Sequence, residues 1–445
     1  MSFEQIKEIL FAAAARQGLT EYDVYCKFSD SESAEALNGQ LNSCASDTGG
    51  GVCFRCVSEG RLGSASTECV QKEELEALVT RAIANAAVTD ADDEPIFYQP
   101  SQADTYVQVT VKTPDLPGVA HLRQTAMTLQ EKLYAESTLM TDGTTSAAGA
   151  SRVRVALANS KGLSLSREGG AVYTYVEPIV NDGKEPSFGS AFAYSLEPDT
   201  DIVKKATDEA LARLGAGLVK TGKYDVIFDA PRVRALLGAF SGIFSGKAAR
   251  LGLSLLAGKE GETVAADCIT LIDDPFYPEN TMQCAFDAEG VPTREKTLIE
   301  KGVLKTLLYD LTNAKKVGVE STGNAARGYA SPVSIAPYCL RIEKGSESKE
   351  ALLARMQNGL YITELKGLHA GADAVTGDFS IESAGFLVEN GQLTRPVHSF
   401  TVAGNFYQLL RAIDGVADNV EMGMPGTSTI AAPDILVRGL AVAGE

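Results

Sequence analysis

Tryptophan is absent from the 445 residues, and histidine occurs three times, at His121, His369 and His398. The first absence says nothing of function; the second narrows it. A catalytic zinc centre takes three protein ligands, and two of them commonly face the metal from neighbouring turns of one helix. No two of these histidines lie within a helical turn of each other. Long apolar runs are missing too: none approaches the roughly 20 consecutive residues of a membrane-spanning helix. Residues 1–8 read as a charged amphipathic opening without the ordered regions of a signal peptide, so export is not expected. The eight cysteines are scattered rather than gathered in a small dense module, and a reducing cytoplasm is the expectation. Positive charge is in short supply: 40 Lys and Arg against 58 Asp and Glu leave a net charge of −18. That field repels phosphate backbones, and no basic run offsets it, so direct nucleic-acid binding is not expected.

What is present is an ordinary globular composition, 44% apolar, over a length that accommodates two domains with cores of their own. Helical spacing of Phe3, Ile6, Ile9, Leu10 and Ala13 predicts a helix over 3–16, and Leu75, Leu78, Val79, Ala82, Ile83 and Ala86 predict another over 71–87. Further helices are expected over 121–136 and 200–216. Alternating segments predict strands over 22–26, 34–37, 51–57, 152–158 and 171–180, with a hairpin turn at 58–63. Residues 90–95 and 114–117 read as exposed loops. Beyond a boundary near 220 the pattern turns to short strands, at 224–228, 269–272, 304–308, 333–335, 385–388 and 399–402. Helices are expected at 349–356 and at 406–413, the latter with Asn405 as its N-cap. The fold class expected is α+β in two domains. Residues 1–220 would form an N-terminal α/β-type region, and 221–445 a domain with a largely antiparallel sheet and few helices.

Several patterns invite a chemical reading, and each has a plainer one. Cys53 and Cys56 have CxxC spacing, but on a strand residues three apart face opposite ways, against chelation. Asp273, Asp274, Asp287 and Glu289 resemble acid pairs, yet Asp-Asp-Pro after an apolar strand is first a turn. The three glycines 49–51 precede a strand and lack the Lys-Ser/Thr of a phosphate loop. Ser241 and Ser245 show no nucleophile-elbow pattern. His121 opens a helix as a surface residue, and His398 lines a strand face.

The segment 223–246, KYDVIFDAPRVRALLGAFSGIFSG, combines a short apolar strand, a turn at Asp229-Ala230-Pro231 and a helix. With it go residues 50–55 and 60–67 near the front, 286–291, 298–304 and 321–325 in the middle, and Gly377-Asp378-Phe379-Ser380, 385–391 and 401–406 towards the end. In order and spacing this set resembles the TldD/PmbA family across essentially the whole chain. The resemblance implies zinc metallopeptidase chemistry, with an HExxxH motif on that helix in the catalytic branch and a cysteine ligand near the C-terminus. Here the helix has neither His nor Glu from 235 to 246, and 419–425 contains no cysteine. The chain therefore resembles the zinc-lacking PmbA/TldE branch, with no catalytic residue, metal ligand or cofactor of its own expected. What the resemblance implies is a two-fold dimer, with a second copy or with a TldD-type catalytic subunit that holds the zinc, around a chamber for flexible peptides. His369, Asp378 and Ser380 are the expected substrate-binding residues. A hydrolase acting alone through a non-standard site, and a peptide-binding protein without catalysis, remain open as alternatives. The family's older name, modulator of DNA gyrase, corresponds to nothing legible in these residues.

Overall fold

A computed structural model describes residues 1–89 and 96–445. The N-terminal half is built on one antiparallel sheet of six strands, in the spatial order Arg61–Thr67, Gln40–Ser58, Tyr22–Leu37, Thr145–Asn159, Ser164–Glu177 and Ala191–Ala193. Its strands are longer than the sequence pattern indicates. The segments expected at 22–26 and 34–37 are one strand of 16 residues, because the intervening polar stretch is hydrogen-bonded on both sides, to Gln40–Ser58 and to Thr145–Asn159. A shared ladder satisfies the backbone whatever the side chains are.

Helices Phe3–Arg16 and Lys72–Ala86 cover one region of this sheet. They bury Ile6, Leu10, Leu75, Leu78 and Val79 with Val24, Val52 and Phe54. Val119–Glu136 and Thr200–Ala212 serve the other end through Leu129, Leu133, Ile202 and Val203. The last helix stops at Ala212, short of the expected 216. The loop expected at 114–117 is irregular, while that at 90–95 lies outside the described residues.

In the C-terminal half, five strands close on themselves. Gly222–Phe228 pairs in parallel with Gly359–Lys366, which continues antiparallel to Asp378–Glu389 and Gln392–Asn405. Ile435–Ala443 joins both free edges, pairing with Gln392–Asn405 and with Gly222–Phe228. Closure into a barrel removes the open edges that strand-rich domains otherwise expose. A second, six-stranded sheet is mixed, with one parallel pair between Cys339–Ile342 and Thr429–Ala432. The observed class is α+β with a strand-rich, largely antiparallel second half. The run expected as a strand at 304–308 is extended only at Val303–Leu304.

The helix that follows the first barrel strand, Ala230–Phe240, is set up by local chemistry. Asp229 is its N-cap, accepting from the Arg232 backbone N–H at 2.9 Å, and Pro231 occupies the first turn, where a missing N–H costs nothing. Val233, Leu236, Leu237 and Phe240 enter the same apolar core as Phe379, Ile381, Phe400 and Val402. Phe240 stacks on Phe406 at 4.4 Å and meets Phe379 edge-on at 6.3 Å. After Phe240 the chain tightens into a 3₁₀ turn, Ser241–Phe244, and restarts as the short helix Gly246–Arg250.

Candidate functional site

Helix Ala230–Phe240 packs against the strands Thr429–Ala432 and Glu421–Met422 and the turn Leu368–Gly371. The space beside it is filled by apolar and basic groups. A Cβ on Gly238 would stand 3.3 Å from Ile430 Cδ1, and one on Gly423 would stand 3.0 Å from Arg234 Nη1. Gly423 donates its N–H to the Ile430 carbonyl at 2.8 Å, and Tyr194 donates its hydroxyl to the Met422 carbonyl at 2.8 Å. Zinc requires lone-pair donors on one face; here the helix presents guanidinium and hydrocarbon, and the one acid of the facing strands, Glu421, is ion-paired with Lys205 at 3.6 Å. Among the described residues no group of three or more His, Cys, Asp or Glu side chains is placed to hold a metal ion. These residues do not fit a catalytic zinc.

The turn that packs on this helix carries His369. Its chain returns so closely that a Cβ on Gly371 would overlap the Ser380 carbonyl, and Asp373 N–H donates to Asp378 O at 2.9 Å. His369, Asp378 and Ser380 are thus neighbours along one exposed ledge. Asp378 Oδ1 accepts from Asn405 Nδ2 at 2.8 Å, which ties the ledge to the N-cap of helix Phe406–Ala412. No hydrogen bond joins the His369, Asp378 and Ser380 side chains to one another among the described residues.

The remaining sequence candidates settle into structural work. Cys53 and Cys56 are both buried but enter different cores, Cys53 beside Tyr25 and Leu157, Cys56 beside Val24 and Phe54. Burial pushes the Cys56 thiol up to about 11 and the Cys53 thiol upward as well, so neither is a ready thiolate. Asp287 Oδ1 accepts from the backbone of Glu289 and Val291, each at 2.9 Å, and its Oδ2 from Ala325 at 3.0 Å. Asp274 accepts from Phe276 N–H at 2.9 Å as a turn residue. Asp273, fully buried, is ion-paired with Lys296 at 3.2 Å. His398 contacts Ser399 Oγ at 2.7 Å, and His121 is exposed in the first turn of its helix.

One cluster has no signal in the sequence. Asp23 is buried between two arginines: Arg55 donates Nε to both its oxygens, at 3.0 and 3.1 Å, and Nη2 to Oδ2, while Arg327 Nη2 reaches Oδ2 at 3.0 Å. Arg327 lies 304 positions away and stacks over the Tyr25 ring at 4.4 Å. Burial alone would raise the Asp23 carboxyl, but the two guanidiniums outweigh it and hold it below the ordinary carboxylate range.

The sequence patterns of the PmbA/TldA metallopeptidases match in three consecutive pieces: domain 1 over residues 22–86, the central domain over 114–214 and the C-terminal domain over 221–444. The chain belongs to the PmbA/TldD family. Among relatives in this family, a metalloprotease of Methanothermobacter thermautotrophicus is 26% identical, over 90% of this chain and 89% of its own length. Metalloprotease PmbA of Escherichia coli O157:H7 is 32% identical over 53% of this chain and 49% of its own length, so that match spans about half of each protein. Two solved structures superpose almost completely. A modulator of DNA gyrase from Thermotoga maritima gives a TM-score of 0.88 at 29% identity, covering 99% of this chain and 100% of that one. TldE from Thermococcus kodakarensis gives 0.88 at 25% identity with the same coverage. The PmbA/TldD architecture therefore extends over the entire chain. Among its described residues no helix is long and apolar enough to cross a membrane.

Proposed function

We propose that this chain is the zinc-lacking subunit of a TldD/PmbA-type metallopeptidase complex that processes unfolded or flexible peptides. The observation that carries the reading is the helix Ala230–Phe240. By the resemblance of residues 223–246 it corresponds to the family's motif helix, yet it offers Arg234 and apolar side chains where a metal centre needs donors. A cation there opposes a divalent metal electrostatically as well as failing to bind it. In this role the zinc and its general base belong to a TldD-type partner, and this chain supplies chamber wall and peptide contacts. His369, Asp378 and Ser380, on the exposed ledge packed against that helix, are the residues we assign to peptide contact. The likeness to the structure called TldE supports pairing with a catalytic relative, and an acidic chain with eight unpaired cysteines suits the cytoplasm.

The test is cleavage of an unstructured peptide, with zinc present, by this chain, by an HExxxH-bearing relative and by their mixture. The reading requires cleavage that depends on the relative's zinc helix and is enhanced by this chain. Cleavage by this chain alone would refute it and return attention to a hydrolase with its own site.

A further inference from the structure

A cleft of about 580 Å³ opens between the N-terminal sheet and the C-terminal half, and no residue of helix Ala230–Phe240 lines it. Its charge is unevenly satisfied. Arg55 lines it and is 8% exposed; with Nε and Nη2 spent on Asp23, Nη1 is the nitrogen left over. Lys247 and Arg250, three residues apart on helix Gly246–Arg250, line the opposite wall from the C-terminal half. Lys247 makes no ion pair among the described residues, and Arg250 donates Nε to a neutral partner, Asn313 Oδ1, at 3.1 Å.

Neither acid on the cleft forms an ion pair with Lys247 or Arg250 among the described residues, and Glu289 acts on Arg55 only across a longer distance. Asp310 accepts from the Asn313 backbone at 2.7 Å and from its amide at 2.8 Å, and Glu289 Oε2 accepts from Leu311 N–H at 2.9 Å. Of the five cationic side chains that line the cavity, Arg55 and Arg327 share Asp23 and Arg81 pairs with Glu74 at 2.7 Å, which leaves Lys247 and Arg250 without a carboxylate partner among the described residues and Arg55 with one N–H beyond those given to Asp23. A buried guanidinium with a free N–H gains most from an ionised acceptor. The second charge of a phosphate would face the carboxylate of Asp310, so a monoanion fits the balance better.

We propose that this cleft binds a carboxylate, that of the free C-terminus of a peptide chain. Only the identity of the ligand as a peptide rests on the role proposed above; the carboxylate chemistry rests on Arg55, Lys247 and Arg250. The site would hold one end of a flexible peptide, in a cleft that His369, Asp378 and Ser380 do not line.

The experiment is fluorescence anisotropy on the full chain with an N-terminally labelled Gly-Ser-Ala peptide. The peptide is offered as the free acid, as the C-terminal amide, and as an amide carrying one internal Asp. A charge-assisted hydrogen bond contributes about 1.5–3 kcal/mol, so amidation is expected to weaken binding about tenfold or more. The double variant Lys247→Gln/Arg250→Gln should remove that difference while melting like the parent, since both side chains are exposed. Binding of the free acid should weaken with salt, and acetate should compete better than inorganic phosphate. Equal affinity for acid and amide, an unchanged double variant, or stronger competition by phosphate would each overturn the proposal. Recovery of full affinity by the internal Asp would overturn the terminal assignment. Binding that follows this pattern in a chain that never enhances a partner's cleavage would leave the site standing and defeat the proposed role. Enhancement without such binding would do the reverse.

Discussion

Replacing Asp23 by Asn should destabilise this protein more than any conservative change at its surface. The carboxylate is 2% exposed, the Arg327 side chain is fully buried, and neither Nε nor Nη1 of Arg327 has a hydrogen-bond partner. The charge on Arg327 is therefore offset by Asp23 and by the face of Tyr25. Removing one member of a buried ion pair costs about 3–5 kcal/mol, because the desolvated partner charge is left behind. An asparagine oxygen still accepts one hydrogen bond, so about 3 kcal/mol is expected for Asp23→Asn at neutral pH. The exposed pair Lys204–Asp208, at 2.7 Å, is the control: Asp208→Asn should leave the unfolding midpoint nearly unchanged, because solvent screens the pair. Urea unfolding followed by far-ultraviolet circular dichroism reads both. The pH dependence has a definite sign. A carboxylate whose folded pKa is depressed contributes stability that is complete above its unfolded value, about 4, and is lost as pH falls through the folded value. The gap between parent and Asp23→Asn should thus be flat from about pH 5 to 8 and narrow only in acid. A midpoint for Asp23→Asn no lower than that of Asp208→Asn would refute the reasoning.

Four further outcomes are expected. Phe240→Ala removes the ring that stacks on Phe406 and meets Phe379 edge-on and should cost about 3–5 kcal/mol in the same unfolding assay. Gly385→Ala places a Cβ on the Tyr361 carbonyl at a bulge of the barrel and should cost about 1–3 kcal/mol, seen as a lowered melting temperature. Glu289 is raised by burial and by the neighbouring Asp287; the unfolded chain then loses its proton first, so stability falls as pH rises above the ordinary glutamate value, and Glu289→Gln should flatten that decline. The tag-free chain, dialysed against zinc and then buffer, should retain well under one zinc per chain by atomic emission, and a chelator should leave its melting temperature unchanged.

The sequence was most informative where local chemistry decides. The helix at Lys349–Met356 has the expected bounds, and Asn405 caps the next helix by accepting from Tyr407 N–H at 3.1 Å. The motif helix was legible too, through Asp229, Pro231 and the period of Val233, Leu236, Leu237 and Phe240. What escaped was settled by distant partners. Residues 27–33, Lys-Phe-Ser-Asp-Ser-Glu-Ser, have no strand-like apolar alternation, and two neighbouring strands hold them extended. Barrel closure depends on Ile435–Ala443 meeting strands from both ends of the C-terminal half. At the site, the lack of donors was visible in the composition of the helix, whereas Arg234 opposite Gly423 required the fold. Asp23, Arg55 and Arg327 are three unremarkable residues in sequence, and only the docking of the two halves makes them a unit.

The central claim is that this chain supports a catalytic relative rather than cleaving peptides through its own zinc. Zinc-dependent cleavage of an unstructured peptide, measured for this chain alone and mixed with an HExxxH-bearing relative, tests it most directly. No cleavage is expected from this chain alone, and cleavage by the mixture should disappear when a histidine of the relative's zinc helix is changed to alanine. Cleavage by this chain unaided, or by a mixture with the disabled relative, would contradict it.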